Sequence, residues 1–560
     1  MSLPSNNKDQ NDNNNTTTPQ DDYNLTTPLT TTTGLRQGLT SYGDAHFSLF
    51  LRKVFIKALG YTDSALSRPL IGIINTYSSY NPCHANVPQL IEATKRGVQL
   101  AGGLAIDFPT ITLHESFAYP TSMFLRNLMS MDTEEMIRAQ PMDGNNWAAY
   151  RAGTIDVEEI SAINEELAPT SGTCGVMGTA STMACLTAAL GMMPLKGASA
   201  PAVSSARLRI AEETGSNAVA VAIANRTPQD ILSEESFLNA ITVLQAIGGS
   251  TNAVVHLLAI ANRHPAIKGK ITLQTFDDIG RKTPLLIDLK PSGANYMTDF
   301  HNAGGMLALL HTLRPLLHLN AMTMSGKTLG EVLDESPFKS FAYSREVIRS
   351  LDNPLYPSSS LVVLRGNIAP NGAVMKASAS KDRSLLKHSG PAVVFEDTAD
   401  MARRIDDPDL PVTKDSVLVL KGIGPVGNPG MPEAGLIPLP RKLGAQGVTD
   451  MLRLSDGRMS GTAGGTIILH ISPESALPES PFGVVRTGDV ITCDVEQRRL
   501  HLEVSDEEIE RRVAERRKDI ERSVGEKKSQ RGYRGLYIRS VNQAEEGADF
   551  DFLTASGANS

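Results

Sequence analysis

Cysteine and tryptophan are scarce in this chain of 560 residues, which contains four cysteines and one tryptophan. The cysteines, Cys83, Cys174, Cys185 and Cys493, are too few and too far apart for the disulfide framework of a secreted protein. We therefore expect a reducing compartment, with the cytoplasm as the default. There each thiol is buried, reactive or bound to a metal.

The chain also lacks an excess of basic residues and any long apolar run. Its formal net charge of −8 argues against binding along a nucleic-acid backbone, although a small basic pocket for an anionic substrate stays open. Without a run of about 18 apolar residues, no transmembrane helix and no membrane partner are expected.

Large apolar side chains are nearly absent from residues 1–34, so this segment is predicted to be a disordered tail. It has no apolar core typical of a signal peptide. It carries acids and no arginine before Arg36, which disfavours a mitochondrial presequence.

A chain of this length predicts two or more domains. Residues 69–78 and 109–116 resemble buried strands, and each is followed by a stretch with helical periodicity, at 86–103 and 121–140. This order predicts an N-terminal domain over 35–355 with an α/β/α sheet, whose ligands lie in loops at the carboxyl ends of the strands.

After the linker-like segment 353–360, short strand patterns separated by Gly and Pro predict a C-terminal β-barrel domain over 356–560. Their sequences are LVVLRGN, PAVVFED, SVLVLKG, GTIILHI, DVITCDVE and RRLHLEV. The overall fold class is therefore α/β.

Two cysteines lie in loops that precede helices. Cys83 in NPCHA follows a strand, and Cys174 in SGTCGVMGTAST lies in a glycine-rich loop. A helix N-terminus favours a thiolate, so each is either a reactive or ligating thiol or a small buried side chain. Cys185 and Cys493 fall within apolar patterns and are expected to be core residues.

Three further motifs are rich in glycine. The loop at 422–435 carries a single carboxylate, Glu433, and lacks the Gly-Lys-Ser/Thr ending of a phosphate loop, so it is either a shaped site or a surface turn. Ser460 in LSDGRMSGTAGGT is not in the context of a hydrolase nucleophile, because Arg458 stands two residues before it. The turn GGST at 248–251 is interpreted as a packing or kink feature.

Taken together, six separated blocks resemble the dihydroxy-acid dehydratase and 6-phosphogluconate dehydratase family. They are PCHANVPQLIEATKRGVQLAGG, TSGTCGVMGTASTMA, LQAIGGSTNAVVHLLAIANR, LRGNIAPNGAVMK, GPVGNPGMPEAG and LSDGRMSGTAGGT. The segment LHESFAYPTSMFLRNLMSMD is most similar to sequences of the sugar-acid (aldonate) branch of this family. The resemblance covers about residues 35–555.

The resemblance implies a homodimeric or homotetrameric hydro-lyase that converts a small 2,3-dihydroxy acid into a 2-oxo acid. It implies an iron–sulfur cluster, [2Fe–2S] or [4Fe–4S], with the aldonate branch favouring the former, and a Mg²⁺ ion. By motif match, Cys83 and Cys174 would bind the cluster and Glu115 and Glu433 the Mg²⁺. Ser460 would remove the proton at C2, and Thr462 would contact substrate.

The implied cofactors suit the reaction. A cluster iron with an open position can act as a Lewis acid on the C3 hydroxyl. Mg²⁺ prefers oxygen ligands and can hold the substrate carboxylate and C2 hydroxyl while it stabilises enolate charge.

The sequence departs from the family after Asp143-Gly144. Members continue with a strand and Gly-Cys-Asp-Lys, which supply the third cluster cysteine, a Mg²⁺ ligand and the lysine that is carbamylated at the metal. Here Asn145, Asn146 and Trp147 follow at once, and none of the four cysteines precedes Asp-Lys. The omission should also expose backbone donors and acceptors of the sheet.

Two hypotheses follow. In the first, the protein is an active hydro-lyase whose transcript contains a further in-frame exon at this point. In the second, the chain as written is catalytically dead or impaired, for example an assembly or regulatory paralogue, because metal-site groups act as a unit.

Overall fold

A computed structural model describes residues 34–36, 45–140, 144–146, 172, 175–524 and 531–555. The first helices are α1 Ala45–Lys57, α2 Asp63–Leu66, α3 Val87–Leu100, α4 Ser122–Ala139, α5 Thr179–Ala189, α6 Ser205–Ile223, α7 Pro228–Ile231, α8 Glu234–Ala246 and α9 Asn252–Arg263. The later helices are α10 Leu273–Gly280, α11 Met297–Asn302, α12 Gly305–Leu313, α13 Leu329–Glu335, α14 Ala342–Val347, α15 Thr398–Arg404, α16 Arg441–Gly444, α17 Asp506–Val524 and α18 Gly532–Ser540. The strands are β1 Leu70–Asn75, β2 Leu104–Pro109, β3 Gly144–Asn146, β4 Val362–Gly366, β5 Ala369–Met375, β6 Lys387–Phe395, β7 Val417–Leu420, β8 Arg453–Ser455, β9 Ile467–Ser472, β10 Val490–Asp494 and β11 Arg499–Leu502.

A parallel sheet of order β2-β1-β3 forms the first layer, as the sequence predicted. β1 and β2 pair over six residues, of which five are buried in β1 and three in β2. Helices α3 and α6 pack closely against each other, because Gly97 and Gly215 leave no room for a side chain: a Cβ at either position would meet a backbone oxygen of the other helix.

The residues at the junction supply the third strand of this sheet. Gly144–Asn146 pairs in parallel with Ile71–Ile73 of β1. The omission was expected to leave backbone groups of the sheet exposed. Instead, three residues of the junction itself satisfy part of that edge.

A helical body follows, built around α8 and α9. Ten of the thirteen residues of α8 are buried, so this helix is surrounded by apolar neighbours rather than lying at the surface. Its inner polar residue Gln245 bonds to Leu361 and Ser360 at the start of the barrel region.

Eight strands close a barrel of order β10-β11-β4-β5-β9-β8-β7-β6, which confirms the predicted C-terminal barrel. Its interior is an apolar cluster, to which Leu364, Val394 and Ile468 belong. Val363 and Val374, which alternate with interior residues, belong to the core of the helical body instead. One wall of the barrel therefore packs directly on the helices.

In the described part of the chain, no helix is long and apolar enough to cross a membrane.

Candidate active site between the helical body and the barrel

Cys83 lies in a one-turn 3₁₀ helix, Pro82–His84, at the carboxyl end of β1. Its side chain is buried, and its backbone N–H donates to the side chain of Asn81 at 3.2 Å. Nδ1 of His84 lies 2.8 Å from the carbonyl oxygen of Thr76 and 3.1 Å from Thr112. These bonds hold the Cys83 loop against the segment that leads to Glu115.

Glu115 begins a second 3₁₀ turn, Glu115–Phe117, after β2. The hydroxyl of Thr121 donates to one of its carboxylate oxygens, and both the backbone N–H and the hydroxyl of Ser122 donate to the other. Arg126 in turn donates to the Ser122 hydroxyl at 3.1 Å. The carboxylate is therefore fixed at the N-terminus of α4.

Glu433 reaches the first turn of α9. Nδ2 of Asn252 donates to Oε1 of Glu433 at 2.7 Å, and the buried guanidinium of Arg458 donates to the same oxygen at 3.2 Å. The same Asn252 amide also donates to Thr179 and to the carbonyl oxygen of Met459. The buried amide of Asn252, at the start of α9, thus contacts the loops of Glu433 and Met459 and the start of α5.

Ser460 and Thr462 lie side by side in the loop between β8 and β9. Their hydroxyl oxygens are 2.9 Å apart, and the Thr462 N–H lies 3.5 Å from Oγ of Ser460. Both residues are half-buried. Thr462 therefore contacts Ser460, whereas its predicted contact with substrate stays a prediction.

Close backbone approaches bring these loops together. A Cβ at Gly461 would lie 2.7 Å from Ser250 and 2.8 Å from the Thr179 nitrogen, and one at Gly178 would lie 3.1 Å from Thr462. A Cβ at Gly430 would meet Thr121 and the backbone of Phe124. The loop of Glu433 thus lies against the start of α4, beside the residues that bond Glu115.

The turn GGST has the packing role predicted for it, because Gly249 lies against Thr182 and Leu244. Sequence reasoning nevertheless missed Asn252, the next residue, which binds Glu433. The available signal was a glycine pair that interrupts a long helical pattern and is followed by Ser, Thr and Asn.

Cys185 and Cys493 are core residues, as predicted. Both are fully buried in apolar clusters, and burial raises the pKa of each thiol to about 12. Cys174 lies outside the described residues, so its role as a ligand stays a prediction. The described residue nearest to it in sequence is Gly175, whose carbonyl oxygen accepts from Met297 at the start of α11.

A buried guanidinium, that of Arg458, lies against the Glu433 loop. Arg458 donates to the Met431 carbonyl as well as to Glu433. Burial, with a smaller effect from Arg458, lowers the pKa of His470 to about 3, so that imidazole is neutral. Arg458 therefore supplies the positive charge next to Glu433.

The described residues provide oxygen donors for a hard cation but no complete metal site. Among them, no three His, Cys, Asp or Glu side chains form a group. Glu433 keeps its hydrogen bonds on Oε1, and Oδ1 of the buried Asn252 has no hydrogen-bond partner. Carboxylate and amide oxygens suit Mg²⁺, so these residues fit that ion as a partial ligand set.

Models of one protein family match most of the chain. The N-terminal model of the dihydroxy-acid/6-phosphogluconate dehydratase family matches residues 68–146 and 145–332, and the C-terminal model matches 346–548. The N-terminal match is thus split at residues 145–146. This is the junction at which the sequence departs from the family.

A full-length relative also contains residues that this chain lacks. An L-arabonate dehydratase of Azospirillum brasilense is 40% identical over 561 aligned positions, which cover 90% of this chain and 95% of the relative. Because 90% of this chain is about 504 residues, more than 50 aligned positions of the relative face no residue here.

Two other relatives have related names. A 6-deoxy-6-sulfo-D-gluconate dehydratase of Pseudomonas putida is 38% identical, over 88% of this chain and 92% of the relative. A dihydroxy-acid dehydratase of Methanosarcina acetivorans is 34% identical, over 89% and 97%. The chain therefore belongs to the dihydroxy-acid/6-phosphogluconate dehydratase family, whose members are hydro-lyases.

Proposed function

We propose that this protein dehydrates a sugar acid of the aldonate type to a 2-keto-3-deoxy acid. The observation that carries the proposal is the meeting of the Ser460 loop, the Glu433 loop and the first turns of α5 and α9 at one place. Two relatives are named as dehydratases of L-arabonate and of a sulfogluconate. These names favour an aldonate over 2,3-dihydroxy-isovalerate as the substrate. The cytoplasm as location and a homo-oligomeric state remain part of the proposal.

Ser460 is the base in this proposal. The proton on C2 is weakly acidic, and an alkoxide can remove it. The hydroxyl and the N–H of Thr462 both lie close to Oγ of Ser460, and each can donate to a negative charge there. Thr462 thus lowers the cost of forming the alkoxide.

Glu115 and Glu433 would hold a Mg²⁺ ion. Bound there, the ion would supply positive charge to the carboxylate and C2 hydroxyl of the substrate as the proton leaves. The hydroxyls of Thr121 and Ser122 orient Glu115, and Asn252 with Arg458 orients Glu433. Glu115 is bonded at the start of α4, whereas Glu433 lies in a barrel loop, so the site depends on how the two halves of the molecule pack.

The cysteines of this chain do not fit a cluster with three cysteine ligands. Cys185 and Cys493 are enclosed in separate apolar cores, which leaves Cys83 and Cys174. We therefore derive no catalytic step through a cluster. The split family match supports the interpretation that a segment carrying the third cysteine is absent between Gly144 and Trp147.

The two hypotheses differ in one segment, which is present in the protein of the first hypothesis and absent from that of the second. The transcript across codons 144–147 tests the first hypothesis, because an in-frame exon encoding Gly-Cys-Asp-Lys would complete the site. If no transcript contains it, the visible spectrum of the anaerobically purified chain tests the second. Cluster absorption together with formation of a 2-oxo acid from L-arabonate would contradict an impaired enzyme.

A further inference from the structure

Lys376 is a buried lysine that has no role in the proposed dehydration. It follows strand β5 directly, only 1% of its surface is exposed, and its Nζ has no hydrogen-bond partner among the described residues. Unpartnered buried ammonium groups are costly, so such a lysine is either neutral or awaits an anion.

Its surroundings contain no described counter-charge. Burial alone lowers the pKa of Lys376 to about 7. The other buried lysine of the barrel, Lys421, differs in this respect, because its Nζ lies 3.1 Å from Glu396. Lys421 thus has a carboxylate partner, whereas Lys376 has no hydrogen-bond partner in the part of the chain that the structure describes.

The segment that follows Lys376 lies against the loop of Ser460. It forms a short turn, Ala377–Ala379, whose last carbonyl oxygen accepts from the N–H of Gly465 at 2.8 Å. The next residue, Ser380, lies 2.6 Å from the hydroxyl of Thr466. These contacts fix the end of β5 to the loop that carries Ser460 and Thr462.

The other side of this turn faces the loop before Asn252. A Cβ at Gly248 would lie 3.6 Å from the hydroxyl of Ser378, and the next residues of that turn include Ser250, which touches Thr179. The chain at Lys376 therefore runs between the two loops that supply Ser460 and Asn252.

We propose that Lys376 binds the carboxylate of the sugar acid, so that its counter-charge arrives with the substrate. This inference rests on the proposed function, since it assigns the anion to an aldonate. It makes Lys376 a substrate-binding residue that distinguishes a sugar acid from the corresponding neutral polyol. A carboxylate next to the ammonium favours the charged amine, so binding above neutral pH should take up a proton.

The test is calorimetric titration of the full chain with L-arabonate at pH 8, in two buffers that differ in ionisation enthalpy. We expect proton uptake on binding to the unsubstituted protein. In Lys376→Met that uptake should vanish and the affinity should fall at least tenfold. Lys421→Met is the matched control and should keep both properties.

Folding is checked separately by thermal unfolding, where Lys376→Met should melt no lower than the parent because no partner is lost. Equal affinity and equal proton uptake in Lys376→Met and the parent would overturn this inference while leaving the proposed function intact. Absence of L-arabonate binding both to the parent and to a form with the family segment restored between Gly144 and Trp147 would overturn both.

Discussion

The amide of Asn252 donates to the carboxylate of Glu433 at 2.7 Å across 181 positions of sequence. Asn252 begins a buried helix of the helical body, and Glu433 belongs to a loop of the barrel. This bond therefore reports whether the two halves of the protein are correctly packed.

Replacing Asn252 with alanine should destabilise the protein and displace Glu433. The substitution removes a buried amide that donates to Thr179, Glu433 and Met459, and it leaves their oxygens without this donor. We expect a loss of about 2–3 kcal/mol in the free energy of unfolding. Urea unfolding measures it, with Asn262→Ala near the other end of the same helix as control, because the half-buried Asn262 side chain bonds only to the exposed residues Glu546 and Gly269. Equal losses in both variants would contradict the assignment.

Ser460→Ala should abolish exchange of the C2 proton of the substrate. In the form that contains the complete metal site, we expect the rate to fall by about 10³ or more, because no neighbouring group replaces the alkoxide. Thr462→Val should cost on the order of 10², since it removes one donor to Ser460. Deuterium incorporation at C2 measures both. Retention of exchange in Ser460→Ala would assign the base elsewhere.

Glu474 should make stability fall as the pH rises. Its carboxyl oxygens accept from the N–H groups of Val426 and Gly427, which belong to the same loop as Glu433. Burial, helped by the charge of Asp456, raises its pKa to about 7. Between its ordinary value of 4.5 and about 7, the folded carboxyl keeps a proton that the unfolded chain has lost. The stabilisation of the protonated form is therefore full below 4.5 and is lost as the pH rises to 7.

Glu474→Gln should remove this dependence. The difference between parent and variant, measured by urea unfolding at pH 5 and pH 8, should amount to roughly 3 kcal/mol at most. Exposed Glu479→Gln serves as the control and should follow the parent. If the parent protein gained stability relative to Glu474→Gln between pH 5 and pH 8, the pKa of the Glu474 carboxyl would not be raised.

Asp549 should anchor the C-terminal segment to α4 and α9. Its buried carboxylate accepts from Arg263 at 2.6 and 2.7 Å and from Asn127 at 3.1 Å. Asp549→Ala leaves Arg263 without this partner, and we expect a loss of about 2–3 kcal/mol in unfolding free energy, because Arg263 remains partly exposed. Limited proteolysis should then cleave within 531–555. The nearby exposed Asp551→Ala should not have this effect.

The sequence predicted most of the barrel strands but missed two of them. Six barrel strands were expected, but β5 was missed because Pro370, Asn371 and Gly372 disfavour a strand. β5 forms because it pairs with β4 and β9 on both sides. β8 was missed because it has three residues, of which Arg453 is buried and paired with Asp450.

The contacts of Glu433 could not be predicted from sequence for a different reason. Its partners Asn252 and Arg458 belong to separate motifs, and only the packing of the barrel on the helices brings them to one oxygen. Lys376 is similar, because its burial without a hydrogen-bond partner among the described residues is a property of the folded environment and not of its neighbours in sequence.

The most direct test of the account compares two proteins: the chain as written, and a form with the family segment restored between Gly144 and Trp147. Both are supplied anaerobically with iron, sulfide and Mg²⁺, and the 2-oxo acid formed from L-arabonate is measured. We predict turnover by the restored form and a rate at least about 10³-fold lower for the chain as written. Equal rates would contradict the need for the segment. A restored form that assembles its cluster but dehydrates neither L-arabonate nor 2,3-dihydroxy-isovalerate would contradict the proposed function.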